Sequence, residues 1–396
     1  MSTRSLTAPP DGLIAAVLLA FVATAGLFYV NIMAAIVDGL VTGLGISEAQ
    51  AGRVGSANIY GAALGALISV FLVRRMPWKP LAILCLLALI AIDILSISIG
   101  TYETLLPVRL GHGIVGGILT GTGFSVIART ANPDRSFGML LFVQFGLGGL
   151  AYYYLPALTP VYGSQVLFVT LALFAAVTLA MLPFLDKYPL QQKAKEAGAA
   201  IMMRPFLLTL LAIFLFQAAN MGLFAYIFTL GLDYGLDRAY MSKALWIATW
   251  VALLGPLLAM VCGQRFPRFW LMLASMLLTL VGTAIFHYSA SPAAYFIANC
   301  GTGITWGFII SYLFGMSAEF DKAGRAAAFG GFVSKIGLAT GPLVAGWIIE
   351  SEAGYPGMIN YALVCFAAAM LIMLIPARIL DKARKMEPAK NKQESI

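Results

Sequence analysis

The stretch GHGIVGG at residues 111–117 has a counterpart 190 residues further along the chain, GTGITWG at residues 301–307. The same shift places Gly65 on Gly255. One constant offset that holds in several segments indicates an internal duplication, because chance similarity would not keep the same spacing. The sequence therefore predicts two repeats of the same orientation, which together decide the fold.

The composition places both repeats in a membrane. The chain has 396 residues, of which 61% are hydrophobic and 11% charged, whereas a soluble domain carries about 25% charged residues. The sequence predicts an all-α membrane protein with twelve transmembrane helices in two pseudo-symmetric six-helix halves. Runs of about 20 apolar residues mark the helices, at 13–38, 54–73, 80–100, 105–128, 137–158, 166–185, 205–230, 244–263, 269–288, 294–317, 326–349 and 357–378.

A polar segment near the middle, DKYPLQQKAKEAGAAIMMR at residues 186–204, separates the predicted halves. We expect an N-terminal half at 1–186, a linker at 187–204, a C-terminal half at 205–380 and a polar tail at 381–396. If the N-terminus is cytoplasmic, twenty of the 25 Lys and Arg residues fall in cytoplasmic segments. This asymmetry predicts a multi-pass membrane protein with both termini in the cytoplasm. It also accounts for the net charge of +8 without a nucleic-acid partner.

Enzyme motifs are missing from the sequence. It contains no phosphate-binding G-x-x-x-x-G-K-[ST] motif, and its four cysteines and two histidines show no metal-binding or catalytic spacing. We therefore expect no enzyme activity, metal or cofactor. A twelve-helix protein without ATP hydrolysis of its own is expected to use an ion gradient, with protons, a small-molecule substrate and the lipid bilayer as partners. We expect a monomer.

Three motifs carry a family resemblance that extends over the whole chain. RLGHGIVGG at 109–117 resembles the R-x-x-Q-G pattern of helix 4 in the major facilitator superfamily, with His112 in place of the glutamine. GLATGP at 337–342 resembles a G-x-x-x-G-P motif of helix 11, and GLGISEAQAG at 43–52 is similar to the loop before helix 2 in the bacterial arabinose-efflux-like group. The resemblance implies a protein of a bacterial inner membrane, with alternating access of two halves around a site near the membrane midplane.

Two segments depart from the family pattern. The loop LVRRMPWKP at 72–80 keeps the basic residues of the family's gating loop but lacks its aspartate and glycine. Helix 5, FGLGGLAYYYLP at 145–156, lacks the Gly-Pro pair typical of drug/proton antiporters. The second departure favours uptake over efflux.

Two cations lie within predicted spans, Arg109 and Lys335. A lysine or arginine at the bilayer centre costs roughly 2.5–3.5 kcal/mol on insertion scales, so such residues usually serve a function. Lys335 points about 160° away from Gly337 on a helix, so the glycine face is expected to pack while Lys335 faces the cavity. We expect both cations to bind a carboxylate-type anion. The alternatives are a hydrogen bond from Lys335 to a helix-end carbonyl and a structural role for Arg109.

Three groups are candidates for proton coupling: His112, Asp93 and Asp38. His112 lies three residues from Arg109, so the two side chains are neighbours on one helix. Asp93 lies well inside helix 3, and Asp38 is placed at the outer end of helix 1. The alternatives are a packed imidazole for His112, an internal packing contact for Asp93 and simple solvation for Asp38.

Uncharged polar residues complete the expected binding site. The candidates are Tyr29 and Asn31 in helix 1, Gln217 and Asn220 in helix 7, and Trp306 in helix 10. By the resemblance, helices 1 and 7 line the cavity, where amides and phenols orient a substrate; hydrogen bonding between helices is the alternative. The sequence as a whole predicts a secondary transporter for proton-coupled uptake of a small organic anion. A proton-coupled antiporter that exports drugs or sugars remains the alternative.

Overall fold

The computed structural model describes residues 7–189, 202–262, 265–320 and 325–393. All regular structure in these ranges is helical, and most of the predicted linker lies outside them. The helices form twelve membrane crossings, here called spans 1 to 12. Spans 2 to 6 comprise Glu48–Arg75, Trp78–Ile97, Tyr102–Ile127, Pro133–Tyr162 and Gln165–Met181. Spans 7 to 12 comprise Met203–Ala225 with Ile227–Asp233, Arg238–Ala252 with Leu254–Cys262, Arg268–Ile285, Pro292–Glu319, Arg325–Ile349 and Gly354–Gln393.

Span 1 is assembled from three shorter helices, Leu13–Ala25, Phe28–Asn31 and Met33–Leu44. It extends past the predicted end at residue 38, because Gly45 terminates it in the left-handed conformation, with φ of 70°. The breaks around Leu27 and Ile32 interrupt the regular backbone beside Asn31. Irregular backbone at membrane depth is found where it is buried in protein or lines a cavity.

The predicted duplication is visible in matching helix contacts. A Cβ atom added to Gly65 would lie 2.0 Å from the carbonyl oxygen of Ile114, so span 2 packs directly on the backbone of span 4. A Cβ atom added to Gly255 would lie 2.1 Å from the carbonyl oxygen of Ile304, which brings span 8 equally close to span 10. Both partners are related by the same shift of 190 residues as the glycines themselves. The two glycines are therefore equivalent positions, one in each half, at which neighbouring helices approach closely.

The halves are joined at one end of the bundle, here called the far end, where span 1 ends and span 2 begins. Arg238 of span 8 pairs with Asp38 of span 1 at 2.5 Å, and the backbone N–H of Ala49 donates to Glu350 at 3.0 Å. The Tyr226 hydroxyl, at the break of span 7, lies 2.9 Å from backbone carbonyls of spans 2 and 11. The opposite end, called the termini end, shows no hydrogen bond or ion pair between the halves among the described residues. The structure is closed at the far end.

Candidate functional site

A cavity of about 290 Å³ lies between the two halves. Apolar and aromatic side chains form most of its wall, and none of the described residues that line it is charged. Spans 1, 5, 7, 8 and 10 contribute most of the lining. The polar members are Asn31, Gln144, Tyr152, Asn220, Thr249, Asn299, Thr302 and Trp306.

Asn31 and Asn220 are the two amide-bearing sequence candidates that line the cavity. The backbone carbonyl of Asn31 accepts a hydrogen bond from the Tyr152 hydroxyl at 2.7 Å, which anchors the short helix in the middle of span 1. The Asn31 side-chain nitrogen is buried and has no hydrogen-bond partner among the described residues. An unpaired buried amide donor is costly, and because the residue lines the cavity, Asn31 is a candidate donor to a substrate.

Trp306 also lines the cavity, and Gln217 holds it in place. The indole N–H of Trp306 donates to Gln217 Oε1 at 2.9 Å, and Gln217 Nε2 donates to the Ser334 hydroxyl at 2.7 Å. Gln217 itself is buried and does not line the cavity. The ring of Phe145 packs beside Trp306, 6.3 Å from its ring. The network fixes one aromatic wall and places Gln217 behind it.

Lys335 lies beside the cavity rather than in its wall. Its side chain is half-buried, and the described residues offer it no ion pair or hydrogen bond. Gly337 packs against span 7, where an added Cβ would lie 2.6 Å from the Phe214 carbonyl oxygen. Lys335 projects from the other side of the helix, one turn before Leu338, which does line the cavity. The ammonium therefore belongs to the termini-end side of the cavity.

Arg109 is fully buried inside the N-terminal half and does not line the cavity. Its Nη1 donates to Asp93 at 2.8 Å, and its Nη2 donates to the Ser96 hydroxyl. The guanidinium also lies 4.7 Å from the centre of the Phe168 ring. Asp93 thus makes the internal packing contact that was the alternative to a role in proton coupling. Arg109 is neutralised by this partner on the neighbouring span. The predicted pair of cations facing the cavity is not assembled in this structure.

His112 completes the buried cluster around Asp93. Its Nε2 lies 3.4 Å from Asp93 Oδ1, and its Nδ1 lies 2.8 Å from the amide nitrogen of Asn58. Tyr29 covers this cluster: its ring is 5.7 Å from the imidazole and 5.9 Å from the guanidinium carbon of Arg109. Tyr29 is buried and outside the cavity lining. The structure therefore brings His112, Asp93, Arg109 and Tyr29 together, one layer behind Asn31.

Asp38, predicted as a candidate for proton coupling with simple solvation as the alternative, is not solvated in this structure. Only 1% of the residue is exposed, because span 1 continues to Leu44 and the opposite half supplies Arg238 as its partner. Thr42 also donates to the carboxylate, at 3.4 Å. Asp38 is therefore a contact between the halves at the far end, separate from the cluster around Asp93.

Several site residues were not predicted from the sequence. Phe145 had a usable signal, since the shift of 190 residues places it on Lys335. Thr249 and Thr302 had none, because hydroxyl residues are common in membrane helices and bond to the backbone of their own turn, as both do here. Asn58 lay in an apolar run where nothing distinguished it.

Two six-helix bundles around a midplane cavity that is closed at one end define a membrane transporter of the alternating-access class, not an enzyme. The family comparison agrees, since residues 16–333 match the Major Facilitator Superfamily. The chain belongs to this superfamily. No curated protein matches the sequence.

Solved structures of transporters have the same fold. The nucleoside transporter NupG (D323A mutant) is similar with a TM-score of 0.73 and 14% identity over 92% of this chain and 99% of that one. The D-xylose-proton symporter has a TM-score of 0.66 and 15% identity over 91% of this chain and 97% of that one. A bacterial homolog of the human lysosomal transporter Spinster, inward-facing and unoccupied, has a TM-score of 0.64 and 15% identity, with 94% and 97% covered. At these identities the likeness concerns the fold alone.

Proposed function

We propose that this secondary transporter carries a neutral organic solute that has both a ring and hydrogen-bond acceptors. The observation that carries the proposal is the cavity wall, which is rich in aromatic side chains and amides and has no charged residue among those described. Aromatic walls favour the flat face of a ring, and the unpaired Asn31 amide favours a carbonyl, ether or hydroxyl oxygen. Sugars and nucleosides combine these features, and two proteins of the same fold are named for such solutes.

A small organic anion of the carboxylate type is the second candidate. Lys335 favours it, because a half-buried lysine without a counter-ion among the described residues is a place where an acidic group gains an ion pair. Arg109 no longer supports the anion, since Asp93 already neutralises it. An anionic substrate would place its uncharged body against Phe145 and Trp306 and its acid toward the termini end.

Proton coupling is part of the proposal, with the cluster of Asp93, Arg109 and His112 as its site. Buried ionisable groups in membrane spans are rare and mark ion pathways in transporters. The cluster lies directly behind Tyr29, two residues from the cavity residue Asn31, so a change of charge there is near the substrate.

The direction of transport depends on how the chain is oriented in the membrane, and this orientation is also a proposal. If the basic segments face the cytoplasm of a bacterium, as their distribution predicts, the closed far end is the outer side and the cavity is directed inward. The arabinose-efflux-like resemblance and the inner-membrane location belong to the same proposal. Uptake by symport is the favoured mode, and export of drugs or sugars by antiport is the alternative.

The test is transport by the purified full-length chain in proteoliposomes, with labelled pentoses, nucleosides, carboxylates and cationic drugs, with and without a pH gradient. Uptake of a neutral ring compound that Lys335→Ala leaves intact supports the first proposal. Uptake of a carboxylate that Lys335→Ala abolishes, while Lys243→Ala does not, establishes the second. Expulsion of cationic drugs alone contradicts both proposed substrates. Lys243 is the matched control because it is a lysine exposed at the start of span 8.

A further inference from the structure

Asn58 of span 2 is buried beside the Asp93 cluster, with 2% of the residue exposed. Span 2 approaches span 4 closely at this level, since a Cβ atom on Gly113 would lie 1.9 Å from the carbonyl oxygen of Asn58. The close approach lets one side-chain nitrogen of Asn58 reach two acceptors of span 4. It lies 3.1 Å from the carbonyl oxygen of Arg109 and 2.8 Å from His112 Nδ1.

The Arg109 carbonyl fixes the orientation of the Asn58 amide. A carbonyl oxygen can only accept a hydrogen bond, so the amide atom beside it must be the NH₂ group. The same NH₂ nitrogen directs its second hydrogen at His112 Nδ1. That ring nitrogen must therefore be an acceptor without a proton. The tautomer of His112 is thus set by hydrogen-bond geometry on its Nδ1 side.

A neutral imidazole whose Nδ1 accepts carries its hydrogen on Nε2. The Nε2 atom of His112 lies 3.4 Å from Asp93 Oδ1. Protonation of Nδ1 would set an N–H against the Asn58 NH₂ group, with two donors facing each other. Rotation of the amide would relieve this clash but would turn its oxygen toward the Arg109 carbonyl. Either change costs a buried hydrogen bond.

We infer that Asn58 is a positioning residue that holds His112 neutral as the Nε2–H tautomer, so that Asp93 is the group of this cluster that takes up the transported proton. The inference rests on the proton coupling proposed above. A proton from water would add to a carboxylate oxygen of Asp93 to give the carboxylic acid, while Arg109 stays a cation. The cluster would pass from neutral to singly positive.

Among the described residues, three other charged or titratable groups lie around Asp93. Span 4 contributes Arg109 and His112, and span 1 contributes Tyr29, whose ring lies 5.9 Å from the guanidinium carbon of Arg109. The contact from span 6 is the ring of Phe168 against the guanidinium. When Asp93 is protonated, Arg109 keeps this ring but loses its counter-ion. Proton uptake would therefore weaken the contact between spans 3 and 4, and span 4 packs through His112 against Tyr29 of span 1, the span whose Asn31 lines the cavity.

The first experiment observes His112 directly by nitrogen-15 NMR of histidine-labelled protein in lipid. The chain has two histidines, so His287→Gln, a change at a position far from the cluster, leaves His112 as the only imidazole. We expect the shifts of a neutral ring protonated at Nε2 from about pH 5 to pH 8, the range in which an unconstrained histidine titrates. An imidazolium at neutral pH or an Nδ1–H tautomer would overturn the inference.

Variants at Asn58 supply the second experiment. Asn58→Asp offers a carboxylate that accepts from Nδ1–H, so His112 should become protonated and the pH profile of transport should gain a second step. Asn58→Leu should also release the titration of His112, whereas Ser56→Ala, a buried polar position two residues earlier, should change neither. If both Asn58 variants keep the tautomer of His112 and the pH profile of transport unchanged, the inference is contradicted. If neither variant folds, the NMR measurement on the chain with Asn58 in place still tests it.

The third measurement separates the inference from the proposed function. Asp93→Asn should abolish proton uptake that accompanies substrate in a weakly buffered vesicle suspension, while substrate exchange without a gradient continues. If proton uptake persists in Asp93→Asn, Asp93 is not the acceptor. If the unmodified chain takes up no protons with any transported substrate, the proposed coupling fails while the tautomer of His112 is still decided by NMR.

Discussion

Asp38 and Arg238, 200 positions apart in the chain, form an ion pair of 2.5 Å that joins the two halves at the far end. Asp38 is buried, while the Arg238 side chain is 22% exposed. Alternating access requires this end to open, and the pair must then separate. The pair therefore affects the equilibrium between the states with the far end closed and open, rather than the stability of either half.

Asp38→Asn should shift that balance toward opening at the far end. Loss of one hydrogen bond between charged groups is worth about 2 kcal/mol, or about a thirtyfold change in the ratio of the two states. The measurement is maleimide labelling of Ala49→Cys, a buried position at the contact between the halves, in a chain without the four native cysteines. Labelling should be faster in Asp38→Asn and unchanged in Lys243→Gln. Equal labelling in both would show that the ion pair does not hold the far end closed.

Gly52→Ala should have the same effect through packing. A Cβ atom at residue 52 would lie 1.9 Å from the Tyr226 hydroxyl, which occupies the space between spans 2 and 11 when the far end is closed. Overpacking costs about 1–3 kcal/mol, so transport should fall by roughly an order of magnitude or more, and maleimide should react faster with the Ala49→Cys thiol. Gly111→Ala, where an added Cβ meets nothing within 4 Å, is the matched control. Wild-type transport by Gly52→Ala would rule out this steric role.

Arg109→Met should destabilise the protein, because it leaves the Asp93 carboxylate buried without its partner. Breaking a buried ion pair from one side costs about 3–5 kcal/mol, whereas replacing both partners by apolar residues is often neutral. Arg109→Met should therefore lower the thermal unfolding temperature in detergent. The double variant Arg109→Met/Asp93→Leu should recover most of the stability yet fail to take up protons. If the double variant recovers both thermal stability and proton uptake, the ion pair has a structural role only.

Asn31→Ala should weaken substrate binding without loss of folding. The unpaired amide donates to the solute in our proposal, so its removal should raise KM by roughly tenfold, the equivalent of about 1.4 kcal/mol. Asn299→Ala is the control at the same cavity, since the Asn299 amide already donates to the Tyr295 carbonyl at 2.8 Å. Concentration-dependent uptake of the solute identified in vesicles measures both. An equal effect of the two substitutions would contradict the role of the Asn31 donor.

The spans and the duplication could be predicted from the sequence because both are local or periodic properties. Apolar runs are set by bilayer thickness, and the pairing of Gly65 with Ile114 recurs at Gly255 and Ile304. The end of span 1 was misplaced because an aspartate such as Asp38 indicates a boundary when its partner is unknown. The sequence around a charged residue does not show whether the other half of the protein will bury it.

The candidate site was only partly predictable for a related reason. Asn31, Asn220 and Trp306 line the cavity, as expected from their helices, but Arg109 and Gln217 face partners inside their own halves. The side on which a polar residue lies depends on the rotation of its helix, which small-residue contacts with neighbouring helices decide. Asn58 shows this most clearly, since its role follows from where Gly113 allows span 4 to lie.

The ion pairs of Asp93 and Asp38 differ in the order in which they can form. Asp93 and Arg109 are 16 positions apart on consecutive helices, so they can meet as soon as this helical hairpin is made, and the pair enters the bilayer as a neutral unit. Asp38 must wait for Arg238 until the first part of the second half has been synthesised. During that interval its carboxyl group needs water or a proton. The early pair can thus neutralise both charges during membrane insertion, whereas the late pair can form only after the two halves have come together.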